Sequence, residues 1–128
     1  MRHPTPPPAP EDMKLAEVLN ALSDPVRLAL VRQLADGLER KWSELRAPVA
    51  KSTLSHHLKA LRGAGVTATR EIGTRCFVTL RRPELDEKFP GLLTVVLAAA
   101  DTEGIGDTFD APAGTKSSRA STDDGDEC

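Results

Sequence analysis

The apolar spacing of this chain changes its period at Gly65, and this change restricts the fold more than any other feature. Before Gly65, apolar residues recur at the three- and four-residue spacing of helices that bury one face. After Gly65, the stretches VTATREI and RCFVTLR alternate as two strands do, on either side of a turn at Gly73. The sequence therefore predicts several helices followed by a β-hairpin.

Four helices are predicted before the hairpin. The first begins near Leu15, and the second follows the N-cap Asp24, with Pro25 at its first position and a stop at Gly37. A short third helix, WSELR, ends before Pro48, and the fourth covers roughly residues 51–62. The apolar face of the first helix consists of Leu15, Val18, Leu19 and Leu22. The residues expected to be buried are Val26, Leu30, Val31 and Leu34 on the second helix and Leu54, Leu58 and Leu61 on the fourth.

The order of the elements predicts the fold class. A short helix, a tight turn and a longer basic helix make a helix–turn–helix, and a basic hairpin directly after it makes a wing. On the second strand, Cys76, Val78 and Leu80 share the face expected to be buried. A last helix is predicted after Pro83, with Pro90 marking either a kink or its true start near Phe89. The predicted fold is mainly α with a β-hairpin wing, a winged helix–turn–helix.

Composition divides the 128 residues into three parts. Residues 1–10 are proline-rich and expected to be disordered, residues 11–100 form the winged helix–turn–helix domain, and residues 101–128 form an acidic tail expected to be disordered. The start of the chain has no apolar signal region, and no apolar run is long enough to cross a membrane. Two cysteines, Cys76 and Cys128, are too few for a disulfide framework, so a cytoplasmic location is expected.

The small net charge of −2 conceals a basic middle and an acidic end. From residue 101 onward, eight acids face two bases, which gives −6. Between residues 47 and 82, one acid, Glu71, faces seven bases, which gives +6; the bases are Lys51, Lys59, Arg62, Arg70, Arg75, Arg81 and Arg82. A local basic patch attracts phosphates whatever the total charge of the protein. A solvated surface is the alternative explanation of the same charges.

The adjacent histidines of the fourth helix are expected to have different roles. Neighbouring helical residues point about 100° apart, so His56 and His57 cannot hold one metal ion together. His57 lies at the edge of the apolar stripe and is predicted to be a packing residue with a satisfied ring nitrogen. His56 lies on the opposite, polar face.

That polar face is the predicted DNA-binding surface. Hydroxyl groups and lysines at the start of a helix suit base edges and phosphates in a major groove, and free amides at the helix start attract phosphate. Arginines beside the glycine turn of the hairpin suit a phosphate backbone or a minor groove, although either of them can instead pair with Glu71. The predicted DNA-binding residues are Lys51, Ser52, Thr53, Ser55, His56 and Lys59 on the helix, with Arg70 and Arg75 on the wing.

Three stretches of the chain resemble the ArsR-type (arsenic-repressor-like) regulators of bacteria. They are LNALSDPVRLALVRQLADG, STLSHHLKALRGAGV and the wing REIGTRCFVTL, and the resemblance covers roughly residues 13–100. It implies a homodimer joined through its first and last helices that binds a pseudo-palindromic operator in double-stranded DNA as a repressor. An effector, not identified by the sequence, would release the DNA. The apolar last helix fits such an interface, and burial in the monomer core is the competing explanation.

The chain departs from the metal-sensing members of that family. Its short third helix, ERKWSEL, has no cysteine, and its last helix, PELDEKFPGLL, has acids but no histidine. We therefore expect no metal, no other cofactor and an effector that is not a metal. No nucleophile can be placed beside a base and an acid, so no enzymatic activity is expected. The alternative function is a winged-helix protein–protein interaction module, which the same charges would serve with an acidic partner.

Overall fold

The computed structural model describes residues 8–109, and they form five helices beside a small antiparallel sheet. The helices are α1 (Leu15–Ala21), α2 (Pro25–Gln33), α3 (Lys51–Ala64), α4 (Arg82–Lys88) and α5 (Leu92–Glu103). The strands are β1 (Arg40–Lys41), β2 (Thr67–Ile72) and β3 (Arg75–Leu80), and single 3₁₀ turns occupy Pro10–Asp12 and Trp42–Glu44. This order confirms the predicted winged helix–turn–helix fold. No helix in residues 8–109 is both long enough and apolar enough to span a membrane.

The first two helices begin where the sequence predicts, and α1 buries only part of its apolar face. The carboxylate of Asp24 accepts hydrogen bonds from the backbone N–H groups of Val26 and Arg27, which confirms it as the N-cap of α2. In α1, Val18 is fully buried, whereas Leu15 and Leu19 remain 48% and 44% exposed. Within the described residues, α1 therefore has apolar surface that no other element covers.

The helix α3 is the best predicted element of the chain. Its buried side chains, Leu54, Leu58, Leu61 and Ala64, recur at the three- and four-residue spacing that gives a helix one apolar face. The helix continues through Gly63 and ends at Gly65, whose φ of +92° is the left-handed conformation that glycine adopts most easily. The expected end at residue 62 is therefore two residues short.

The short third helix is reduced to one 3₁₀ turn, Trp42–Glu44. A carboxylate oxygen of Glu44 accepts a hydrogen bond from the backbone N–H of Lys41, which fixes the start of this turn. The segment then passes through the buried residues Leu45 and Ala47 before α3 begins. Trp42 is 3% exposed, so it packs the joint before α3 and does not line an open pocket.

The wing contains one strand that the sequence pattern does not reveal. The strands lie in the order β1-β3-β2, with both pairings antiparallel. In β3, Cys76, Val78 and Leu80 are buried, as the alternation predicts. The third strand, β1, has two residues, and two residues are too few to show alternation.

The predicted last helix is divided into two. α4 ends at Lys88, and α5 begins at Leu92 after Gly91, whose φ is +84°. Pro90 lies in the break, because its ring and missing N–H do not suit a helix interior. The resulting α5 packs against α2 and α4.

Residues on both sides of the predicted domain contact it. At the C-terminal side, α5 continues to Glu103, and a turn through residues 104–109 packs on α2, where Arg32 binds Asp101 and Asp107 at 2.8 and 2.9 Å. At the N-terminal side, the carbonyl of Pro8 accepts a hydrogen bond from Arg81. The division of the chain into two disordered tails and one domain stays a prediction. The remaining parts of the predicted tails lie outside the described residues.

Candidate nucleic-acid interface

The outward face of α3 carries most of the predicted DNA-binding residues. Lys51, Ser52, Thr53, His56 and Lys59 are all exposed, and the first three form the first turn of the helix. The N-cap residue, Ala50, has no side chain that can accept from the first backbone N–H groups. These amides, the two hydroxyl groups and the ammonium group of Lys51 therefore face solvent at the start of α3, and Lys59 adds a second ammonium group two turns further along.

Ser55 differs from the other predicted helix contacts because it is half-buried. At 100° per residue, it points about 60° from the buried Leu58 and, on its other side, about 40° from the exposed Lys59. Its hydroxyl group is thus at the edge of the polar face and less accessible than that of Ser52. Its contact with DNA stays a prediction.

His57 is a packing histidine, as predicted, and its partner is Arg27 of α2. The Nε–H group of Arg27 donates a hydrogen bond to Nδ1 of His57 at 3.1 Å. The pKa of His57 is lowered, first because burial disfavours the charged ring and further because Arg27 and His56 repel it. Asp24, whose Oδ2 lies 4.0 Å from Nδ1, opposes this effect. His57 is therefore neutral at pH 7 and anchors α3 to α2.

The wing presents Arg75 at its tip. Arg75 begins β3 opposite Ile72, and the turn between them contains Gly73 with a φ of +62°. Both Arg75 and Ile72 are exposed, and nothing lies within 4 Å of the Cβ position at Gly73. Within residues 8–109, Arg75 has no ion pair, so its charge faces solvent.

The other wing arginine, Arg70, is already paired with an acid. Its guanidinium donates two hydrogen bonds to the carboxylate of Glu39, at 2.6 and 2.8 Å, and lies 5.3 Å from the centre of the Phe77 ring. The acid is Glu39, just before β1, and not the neighbouring Glu71 that the sequence suggested. The hydrogen bonds from Arg70 lower the pKa of Glu39, so the pair remains charged at neutral pH. The contact of Arg70 with DNA stays a prediction and requires that Glu39 release it.

Ion pairs and hydrogen bonds within the protein leave only some side chains of the basic segment without a partner. Of the seven bases in the basic segment, Arg70, Arg81 and Arg82 have polar partners on the protein. Those for which the structure of residues 8–109 shows neither an ion pair nor a side-chain hydrogen bond are Lys51, Lys59, Arg62 and Arg75. Lys51, Lys59 and Arg75 are exposed, the first two on α3 and the third at the wing tip. Within this segment, the positive charge that can attract phosphates therefore lies at these two places.

The sequence did not reveal Glu39 and Arg27 as part of this region. Glu39 is 31 positions from Arg70 along the chain, and only the pairing of β1 with β3 brings them together. Arg27 is 30 positions from His57. The one signal for Arg27 was its place in the motif SDPVR, which marks the start of α2 but does not show where the guanidinium points.

Replacing Glu39 with glutamine is expected to strengthen DNA binding. The amide is a weaker partner than a carboxylate for a guanidinium, so Arg70 becomes free to contact a phosphate. One added phosphate contact raises the affinity up to about eightfold at 0.1 M salt and steepens the salt dependence by about one. Fluorescence anisotropy measures both quantities. Glu87→Gln, at an exposed position of α4, is the control for the loss of one negative charge; equal effects of the two variants contradict the prediction.

An exposed basic helix, preceded by a short turn and followed by a three-stranded wing, defines this protein as a winged helix–turn–helix protein. Comparison with known proteins agrees with this class. Residues 22–70 match the family model described as a helix-turn-helix domain. This range includes α2, α3 and the first four residues of β2.

Two relatives are described as uncharacterized HTH-type transcriptional regulators. The one from Bacillus subtilis (strain 168), YceK, is 38% identical over 86 residues, which are 65% of this chain and 86% of the relative. The one from Methanocaldococcus jannaschii is 37% identical over 65 residues, 48% of this chain and 71% of the relative. A crystal structure described as a "possible transcriptional regulator for arsenical resistance" is 26% identical, with a TM-score of 0.49 over 73% of this chain and 90% of that chain.

The chain belongs to the HTH-type transcriptional regulators. It is therefore a DNA-binding protein that regulates transcription, and the prediction made from the order of its elements is confirmed at this level.

Proposed function

We propose that this protein is a dimeric, ArsR-type repressor that binds a pseudo-palindromic operator through α3 and the wing. The observation that carries the proposal is the exposed set on α3, Lys51, Ser52, Thr53, His56 and Lys59, at a helix start with no side-chain cap. Hydroxyl and ammonium groups at this end of the helix enter the major groove, while Arg75 at the wing tip reaches the backbone or the adjacent minor groove. The motifs SDPVRLALVRQL and STLSHHLKAL support the ArsR type.

Two helices support the dimer. Val95 of α5 is 66% exposed, and Ala98, Ala99 and Thr102 give the same side of the helix no charge. On α1, Leu15 and Leu19 are about half exposed. Large apolar side chains that the monomer leaves in water are typical of an interface between subunits. A two-fold dimer through α1 and α5 would present two copies of α3 to two half-sites.

The effector that releases DNA stays open. We propose a ligand other than a metal ion, because the segment ERKWSEL has no cysteine and the segment PELDEKFPGLL has no histidine, unlike the metal-sensing members of the ArsR type. We propose the cytoplasm as the location of the protein, because a regulator of this type binds chromosomal DNA.

Binding to the DNA upstream of its own gene tests the proposed function. Fluorescence anisotropy is measured over a range of salt concentrations and in the presence of unrelated competitor DNA. The proposal predicts an affinity that falls steeply with salt and resists the competitor. If no binding occurs even at low salt, the proposal fails and a protein-interaction module becomes the better explanation of the basic face.

Replacing Val95 with glutamate is expected to produce a monomer. A carboxylate placed in an apolar interface loses its hydration without a partner, and the dimer dissociation constant should rise at least about tenfold. Sedimentation velocity over a range of protein concentrations measures this change. Leu38→Glu, at a loop residue that is 61% exposed, is the matched control and should remain dimeric. A wild-type protein that is monomeric throughout contradicts the dimer.

A further inference from the structure

His57 lies in the joint where α2 packs against α3. Its ring nitrogen Nδ1 accepts a hydrogen bond there and so does not carry the ring proton. The Nε–H group of an arginine can only donate, so Nδ1 of His57 accepts the bond from Arg27 with its lone pair. The ring proton of neutral His57 is therefore on Nε2. Because the side chain of His57 is 13% exposed, this bond is a partly buried anchor for α3.

A second partner for the same nitrogen lies close by. Oδ2 of Asp24 is 4.0 Å from Nδ1 of His57, and the same oxygen caps α2 by accepting from Val26 and Arg27. A proton on Nδ1 would remove the acceptor for Arg27, place two cations side by side and give Asp24 a new donor. The charged or titratable groups that act on His57 are thus Asp24 and Arg27 of α2 and His56 of α3 itself.

The displaced guanidinium has space to occupy. Arg27 also lines an open groove of about 410 Å³ between α1 and α3, together with Glu17 and Asn20 of α1. Small residues also line it: Ala16 and Ala21 of α1, and Ala60, Gly63 and Ala64 of α3. Glu17 of the same groove is an acid that a displaced Arg27 could bind. In the observed arrangement Arg27 binds His57; in a second arrangement, Arg27 would bind Glu17 and protonated His57 would bind Asp24.

We propose that Arg27 and His57 are positioning residues for the recognition helix, and that protonation of His57 weakens DNA binding by switching the joint to the second arrangement. His56, the adjacent residue, belongs to the proposed DNA-binding face, so a movement of His57 is transmitted directly to that face. This inference rests on the proposed function, because it assumes that α3 enters the groove of DNA.

The direction of the pH effect separates this proposal from simple charge attraction. The pKa of His57 is below its ordinary value of 6.5, because burial disfavours the charged ring, so the switch operates on the acid side of neutrality. There, protonation of His57 lowers DNA affinity. Protonation of an exposed histidine on the DNA-binding face, such as His56, would add positive charge and raise the affinity instead.

The stability of the protein has the same sign of pH dependence. A histidine whose pKa is lowered by folding binds more protons in the unfolded state as the pH falls through about 6.5. The contribution of neutral His57 to folding is therefore present above that pH and decreases below it. Each binding measurement consequently needs a circular dichroism spectrum at the same pH to show that the domain is folded.

The test uses the full chain with His57 as its single histidine. The sequence has three histidines, so His3→Gln and His56→Gln together leave only His57. We expect the affinity of this variant for operator DNA to fall about fivefold to tenfold between pH 7.5 and pH 5.0, the size of effect expected for the net loss of one ordinary hydrogen bond. A further change, His57→Asn, keeps an acceptor near the position of Nδ1 without a titrating group and should abolish this fall.

Nitrogen NMR of the single histidine gives a result that does not depend on DNA. At pH 7.5 we expect a neutral ring with its proton on Nε2, as the bond from Arg27 requires. A proton on Nδ1 overturns the proposal, as does an affinity that is constant or rises toward pH 5.0, or a fall that persists after His57→Asn. If the wild-type protein binds no DNA at pH 7.5, the proposed function fails. If the single-histidine variant binds DNA with an affinity that does not change with pH, this inference alone is contradicted.

Discussion

Replacing Lys51 and Lys59 together with alanine is expected to weaken DNA binding roughly 50-fold at 0.1 M salt. Both side chains are exposed on the outward face of α3, and neither has an ion pair within residues 8–109 that would hold it away from a phosphate. Each lysine that neutralises one phosphate contributes about 0.9 to the slope of log affinity against log salt, so the slope should fall by about two. The measurement is fluorescence anisotropy at four or more salt concentrations.

The matched control for this variant removes two lysines elsewhere. Lys14 and Lys88 are exposed, and they lie before α1 and at the end of α4. Replacing them with alanine changes the net charge equally but leaves α3 intact, so the salt slope should change by much less than two. Equal losses in the two double variants would show that net charge, and not the face of α3, determines the affinity.

Replacing Leu58 with alanine is expected to lower the free energy of unfolding by about 2–5 kcal/mol. Leu58 is 1% exposed and belongs to the buried face by which α3 packs on α1, α2 and β2. The change removes apolar contact and leaves a cavity that three neighbouring elements cannot all close. Because a small domain has only about 5–15 kcal/mol of stability, a loss of this size is a large fraction of the total.

Chemical denaturation measures the effect of Leu58→Ala. The midpoint should fall while the slope with denaturant stays constant, since the unfolded chain exposes nearly the same surface. Leu38→Ala removes the same atoms from a side chain that is 61% exposed, and its effect should remain within about 0.5 kcal/mol. A loss of less than 1 kcal/mol for Leu58→Ala, or an equal loss for Leu38→Ala, contradicts the assignment of the buried face of α3.

Local patterns predicted those elements in which periodicity and end signals agree. In α3, the spacing of Leu54, Leu58 and Leu61 determines which face is buried, and Gly65 ends the helix in the left-handed conformation. In α2, the side chain of Asp24 caps the helix as its position before Pro25 indicates. Such features depend on residues within one or two turns of each other, so the sequence alone is sufficient to predict them.

Features that depend on distant residues were not predictable in the same way. The strand β1 is too short to alternate, and only its pairing with β3 reveals it. Leu15 and Leu19 satisfy the helical pattern of α1, yet they lie outside the monomer core because no element within residues 8–109 covers them. Periodicity identifies an apolar face but does not identify what covers it, and the core of a monomer and a dimer interface have the same pattern.

The candidate DNA-binding site also contains both features that local patterns predict and features that depend on distant residues. Exposure of Ser52, Thr53, His56 and Lys59 follows from the helical wheel, and the structure agrees with it. Lys51 points near the buried Leu58 on the wheel and is exposed as the first residue of the helix. The half-burial of Ser55 and the pairing of Arg70 with Glu39 depend on neighbours that a helical wheel or a strand alternation does not contain. The number of basic residues counted along the sequence is therefore larger than the number of basic side chains that are free to contact DNA.

The measurement that tests the central claim most directly is a map of backbone amide shifts by NMR as operator DNA is added. Our account predicts that the largest changes occur at residues 51–59 of α3 and at residues 72–75 of the wing, with small changes in α1 and α5. Changes concentrated in α1 and α5, with α3 and the wing unaffected, would contradict the assignment of α3 and the wing as the DNA-binding face.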